Sequence, residues 1–129
     1  MAKGFVVALA LLCGAVPGIA GAANGAQPMT VVLADNRFEP DHLSFHAGQA
    51  YDLRLENRGK ELHEFTAPAF LRAAKVQDKK VLSNGGGDIV VHPGQTVEVR
   101  LIAPPAGHYD LTCADHDWDG MVGDITVEP

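Results

Sequence analysis

The chain predicts an all-β sandwich of seven or eight strands with one short helix. Two observations carry this: short segments that alternate apolar and polar residues, and Gly, Pro and Asn turns that separate them at short intervals. A third, a single stretch with helical spacing over 69–76, supplies the helix. At 129 residues and 47% hydrophobic content, the chain is expected to form one domain with a sizeable core.

The first element is a leader. Lys3 precedes the apolar run Gly4 to Leu12, and the small residues Ala20-Gly21-Ala22-Ala23 follow. A basic start, a short apolar stretch and a small-residue exit describe a secretory signal peptide over 1–23, with cleavage near Ala22 or Ala23. Pro17 and the glycines at 14, 18, 21 and 25 interrupt the stretch and oppose a retained anchor. The domain is then 24–129, in the periplasm or otherwise exported, with no stable membrane span after cleavage.

Strands are expected next at Thr30–Leu33 and, after the Glu39-Pro40-Asp41 turn, at Leu43–Phe45. Tyr51–Glu56, Val97–Leu101 and Gly123–Glu128 alternate with period two, as half-buried strands do. The segment Ala69–Val76 is expected as a helix between the sandwich halves. His46-Ala47-Gly48-Gln49 and His92-Pro93-Gly94-Gln95 each lead into an alternating strand, an internal echo offset by 46 residues. Two such units would suit one strand in each sheet, although shared turn chemistry explains the echo as well as duplication does.

Removing the leader also removes Cys13 and leaves one cysteine, Cys113, in an oxidising setting where unpaired thiols are usually avoided. Cys113 opens the run Cys113-Ala114-Asp115-His116-Asp117-Trp118-Asp119-Gly120-Met121, a C-x2-H-x4-M spacing. A thiolate, an imidazole and a thioether on one short loop form a soft donor set that favours copper. His63 offers a second imidazole upstream. Strand parity puts Cys113 with Tyr109 and Leu111, His63 with Phe65, and Met121 with Ile125 and Val127, all facing inward. Leu62 has the opposite parity. Zinc competes for Cys and His but rarely uses Met. Singly, His63 reads as a core histidine and Met121 as a core residue. His42, His46, His92 and His108 fall in or near turns and read as surface residues, His46 and His92 with some capacity for extra metal.

The Cys113, His116 and Met121 loop, the upstream His63 and the all-β alternation over 28–129 resemble the cupredoxins, small blue copper proteins such as plastocyanin and pseudoazurin. The resemblance implies a Greek-key sandwich, one copper ion cycling between Cu(II) and Cu(I), and His63, Cys113, His116 and Met121 as its ligands. It implies electron transport, with His116 as the exit to a redox partner. His63 is expected to be buried with its free nitrogen held by a backbone carbonyl or a similar group. At three positions the chain differs from the common pattern. Glu64 stands where an Asn ties the two ligand segments together, Ala114 where Ser or Thr often follows the Cys, and Asp115 where Pro often precedes the loop His.

Without Lys3 the chain carries nine basic residues against sixteen acidic ones, a formal charge of −7. That balance argues against a nucleic-acid partner. Residues 107–129 contain six acids and no Lys or Arg, whereas 58–80 contain six of the basic residues. A basic docking face on the redox partner and a monomeric chain are expected. An extracytoplasmic copper-handling or copper-resistance role using the same site is the alternative. Enzyme readings find little support: there is no His-x-His pair, position 117 is Asp where a binuclear copper loop needs a second Cys, and no Ser-His-Asp or paired-carboxylate arrangement stands out.

Overall fold

A computed structural model describes residues 25–129. The expected leader and Cys13 lie outside the described residues. Ten strands form two five-stranded sheets. The first holds β1 (Gln27–Ala34), β2 (Arg37–Glu39), β4 (Ala50–Asn57), β6 (Lys75–Val76) and β8 (Thr96–Ile102), in the order β2-β1-β4-β8-β6. The second holds β3 (His42–His46), β5 (His63–Thr66), β7 (Asp88–Val91), β9 (Gly107–Thr112) and β10 (Val122–Glu128), in the order β3-β10-β9-β5-β7. The strand count exceeds the expected seven or eight because β2 and β6, at three and two residues, are too short to show a period.

Alternation produced the sandwich. Along β4, Tyr51, Leu53 and Leu55 are buried while Arg54 is exposed; along β3, Leu43 and Phe45 are buried between His42, Ser44 and His46. Inward faces of the two sheets meet in one core that includes Val31, Leu33, Leu53, Phe65, Leu111 and Ile125. Burying a side chain of this size contributes about 1.5–3 kcal/mol.

The helix, α1, spans Pro68–Ala73 and stops short of the expected 76. Pro68 suits a helix start, where its missing N–H costs nothing. Ala74 turns extended at ψ 155°, and Lys75 and Val76 pair with Ile102 and Leu101 of β8. Burial of Val76 against a sheet edge outweighed the helical preference of the segment. As expected, α1 connects the sheets: it follows β5 in one and precedes β6 in the other. It docks Phe70 against Phe45, with ring centroids 4.9 Å apart.

The internal echo has a different outcome. Its two strands, β4 and β8, lie side by side and antiparallel in the same sheet, not one in each. Gly48 and Gly94 both adopt positive φ, 75° and 74°, in turns closed from Gln49 N–H to His46 O and from Gln95 N–H to His92 O. Shared turn chemistry accounts for the likeness. Among the described residues no helix is long and apolar enough to cross a membrane.

Candidate metal centre

β5 begins where β9 ends and β10 starts, because β9 is antiparallel to both neighbours. Sheet topology therefore collects the start of β5, the loop after β9 and the entry to β10 at one end of the sandwich. His63 opens β5, Cys113 follows β9, and Met121 precedes β10. One donor atom each from His63, Cys113 and His116 lies within 4.8 Å of the others. Cys113 Sγ is 3.4 Å from His116 Nδ1, and the two imidazole centroids are 4.9 Å apart.

The expected inward orientation holds for His63 in β5 and for the two residues that flank β9 and β10: Cys113 and Met121 are fully buried and His63 is 2% exposed. Met121 is tied to the other loop donors through the backbone. Cys113 N–H donates to Met121 O at 3.0 Å, and Met121 N–H to His116 O at 3.1 Å. Gly120 at φ 82° ends the short 3-10 turn Asp117–Asp119 and redirects the chain into the core.

The electrostatics prepare the cluster for a cation. His63 Nδ1 is buried without a hydrogen-bond partner, and a polar atom in that state is uncommon unless something else satisfies it. Burial, and then the nearby His116, push the His63 pKa down, so the ring stays neutral and able to ligate. Burial raises the Cys113 thiol, while the backbone N–H groups of Glu64, Asp115 and His116 work in the opposite direction. The Glu64 N–H lies 3.3 Å from the sulfur. Unpartnered imidazole, thiol and thioether are a donor set that fits copper.

Supporting residues not read from sequence surround the donors. Asn57, 2% exposed, donates to Glu61 O and Val91 O, both at 2.8 Å, and accepts from Gly59 N–H at 2.9 Å. It shapes the turn that delivers His63. In the sequence only the turn-forming run Asn57-Arg58-Gly59 marks it. Gly59 is small for a reason: a Cβ there would sit 3.1 Å from His63 Nε2. That nitrogen packs against Gly59 and finds no backbone carbonyl among the described residues, contrary to expectation. His63 also lines a cleft of about 250 Å³ with Asp35, Asn36, Lys60 and Glu61. The tie missing at Glu64 is made elsewhere: Thr66 Oγ1 accepts from Ala114 N–H at 3.2 Å, joining β5 to the Cys loop. The Glu64 carboxyl itself is pushed above the usual range by burial and by Asp115 and Asp88.

His116 is the donor nearest solvent, with its side chain 12% exposed. Its Nε2 lies 2.8 Å from Glu61 Oε2. Asp115, Asp117 and Asp119 are exposed around it, and Trp118 stands out at 79% exposure, its Nε1–H bonded to Asp115 O.

A model of the cupredoxin-like domain matches residues 4–127. The chain is 26% identical over 146 residues to the copper-resistant cuproprotein CopI of Pseudomonas aeruginosa, covering 85% of this chain and 81% of that protein. Reduced auracyanin from Roseiflexus castenholzii superposes with a TM-score of 0.60 at 16% identity, covering 81% of this chain and all of that one. Auracyanin B superposes with a TM-score of 0.61 at 21% identity, covering 81% and 90%. With nearly the whole sequence matched by the domain model, on a two-sheet sandwich, this chain belongs to the cupredoxin-like family.

Proposed function

We propose that the chain is an exported electron-transfer protein in which His63, Cys113, His116 and Met121 hold one copper ion. A single observation carries this reading: a buried thiol and two imidazole nitrogens converge within 4.8 Å, one of those rings having a buried nitrogen with no partner. Copper bound there would supply a one-electron Cu(II)/Cu(I) couple. The chain's own groups do the rest. The Glu64 N–H donates to the sulfur at 3.3 Å and disperses its charge. Packing in the sandwich and the Thr66 and Asn57 hydrogen bonds hold the donors in place, so little movement accompanies a change of charge. His116 is the route to solvent, and the acids around it favour a redox partner with a basic face.

Visible and EPR spectra of the chain from residue 24, after one equivalent of Cu(II), test the reading. An intense thiolate-to-copper band with narrow hyperfine splitting, absent in Cys113→Ser, is expected. A pale spectrum with ordinary splitting overturns it.

The CopI relative supports a second reading, copper handling outside the cytoplasm through the same residues. A carrier is expected to bind one copper tightly and exchange electrons rapidly with itself. A copper-handling protein is expected to bind further ions and to accumulate on copper exposure.

A further inference from the structure

The cations of the chain fall into two classes. Arg37, Arg54, Arg58 and Arg100 each pair with a carboxylate; Arg100 grips Asp52 at 2.7 and 2.8 Å. Arg72, Lys75, Lys79 and Lys80 pair with none among the described residues, although the chain as a whole is acidic. The acid between them, Asp78, turns its carboxylate to the Lys80 N–H at 3.0 Å. Glu98, on the neighbouring strand, is held by Arg54 at 2.7 Å. One connecting segment thus concentrates the unbalanced positive charge.

That segment follows the edge of β8. Lys75 pairs with Ile102, Gln77 N–H donates to Arg100 O at 2.9 Å, and Lys80 borders a groove with Thr96 and Glu98. The cations therefore form a stripe along one flank of the sandwich, about 20 Å long at the rise of a strand. All four are exposed. Arg72 and Lys79 also line a cleft of about 430 Å³ with the apolar Leu71, Val76 and Leu82. The guanidinium of Arg72 is seated on the glycine loop that follows. Its Nε–H donates to Gly85 O at 3.3 Å, and a Cβ at Gly87 would lie 3.3 Å from its Nη2. A guanidinium held by its Nε presents its outer N–H groups as a fork that matches a phosphodiester or a carboxylate.

We propose that this flank docks on an anionic phospholipid surface, with Arg72 on a headgroup phosphate and Lys75, Lys79 and Lys80 in the surrounding negative potential. Charge complementarity selects an anionic occupant, and the make-up of the stripe selects lipid over protein. No aromatic side chain is exposed on it, so it lacks the rigid anchors on which specific protein contacts concentrate. Long, mobile lysines spread along a flank suit the diffuse charge of headgroups instead. Ile102, 39% exposed and directly opposite Lys75, adds an apolar contact at the same surface. The acids of the Cys113 loop are repelled by such a surface, so docking by this flank leaves His116 facing solvent. The stripe contains none of the donor residues, so it stands whether or not the metal centre carries electrons.

Co-sedimentation of the tag-free chain from residue 24 with extruded vesicles tests it. At low salt the chain is expected to bind vesicles that contain about one-third phosphatidylglycerol in phosphatidylcholine, to ignore pure phosphatidylcholine, and to be released at high salt. Lys75→Ala, Lys79→Ala and Lys80→Ala are each expected to weaken binding about fivefold. Lys60→Ala makes the same change of charge off the stripe, beside His63, and is expected to weaken it by less than about twofold. No preference for phosphatidylglycerol, or binding that the three stripe variants leave intact, overturns the proposal. Equal loss in Lys60→Ala does so too, by reducing it to an effect of net charge. Stripe-dependent binding of a polyglutamate peptide without any binding to vesicles also overturns it, and reassigns the flank to an acidic protein.

Discussion

Glu61 Oε2 lies 2.8 Å from His116 Nε2, and this contact decides which nitrogen of the ring is free. A carboxylate accepts, so Nε2 carries the proton and Nδ1, 3.4 Å from Cys113 Sγ, is left with its lone pair toward the thiol. A carboxylate behind an imidazole fixes its orientation and raises its basicity as a ligand. The same contact places a negative charge over the outward edge of the ring proposed as the electron's exit.

From this contact follows the first prediction. Glu61→Gln keeps a hydrogen-bond acceptor but removes the charge, so the oxidised state loses support and the potential of the copper-loaded chain rises. The expected rise is tens of millivolts, against about 59 mV for a tenfold change in a one-electron equilibrium. Asp115→Asn with Asp117→Asn is expected to move the potential in the same direction by less, because those carboxylates are exposed and screened by salt. Voltammetry at low and high ionic strength checks both. A potential that stays put or falls in Glu61→Gln contradicts the role assigned to this carboxylate.

Asn57 is expected to matter for stability and for the site together. Asn57→Ala leaves the buried Val91 carbonyl and the part-buried Glu61 carbonyl and Gly59 N–H without this partner, at a cost of about 1–3 kcal/mol. Urea unfolding of the metal-free chain measures the loss. Because the turn it shapes leads into His63, the remaining folded protein is expected to bind copper more weakly as well.

Gly123 on β10 admits no side chain, because a Cβ would lie 2.4 Å from the backbone oxygen of Asp41. The Asp41 carbonyl also accepts the Asp124 N–H at 2.9 Å, so it cannot withdraw without losing that bond. Gly123→Ala is expected to cost about 1–3 kcal/mol, the range for forcing atoms into a packed site. An unfolding midpoint equal to that of the parent chain contradicts this.

Acid stability is expected to depend on the outer face of the first sheet. The Asp52 carboxyl is held below its ordinary value of 3.8, chiefly by its hydrogen bonds to Arg100. A depressed folded-state pKa contributes stability that is present above the ordinary value and is lost as pH falls through the folded one. Glu56, lowered by Arg54 and Arg58, acts in the same sense. Thermal unfolding scans from pH 5 downward are expected to show a shallower acid slope in Asp52→Asn than in the parent. The difference is expected to be small, since both partners are about half exposed.

Much of the architecture and the donor set was legible from residues close together in the chain. Period-two alternation placed the long strands and faced them correctly, since burying one side of a strand demands it. The spacing of Cys113, His116 and Met121, with the parity of His63, pointed to one enclosed end. Longer-range geometry was not legible. Val76 joins a sheet edge because β8 offers it hydrogen bonds and a covered apolar surface, which its own helical neighbours do not reveal. β4 and β8 share a sheet despite matching turns, because pairing is chosen by the whole core. Asn57, Gly59, Glu61 and Thr66 support the site through contacts with partners that are not their strand neighbours, and no local period marks them. The sequence by itself determined the fold class and the donor types, because both follow from local chemistry. Only the tertiary structure decided which groups hold those donors and which face of the sandwich carries unbalanced charge, because both depend on strand register across the sheets.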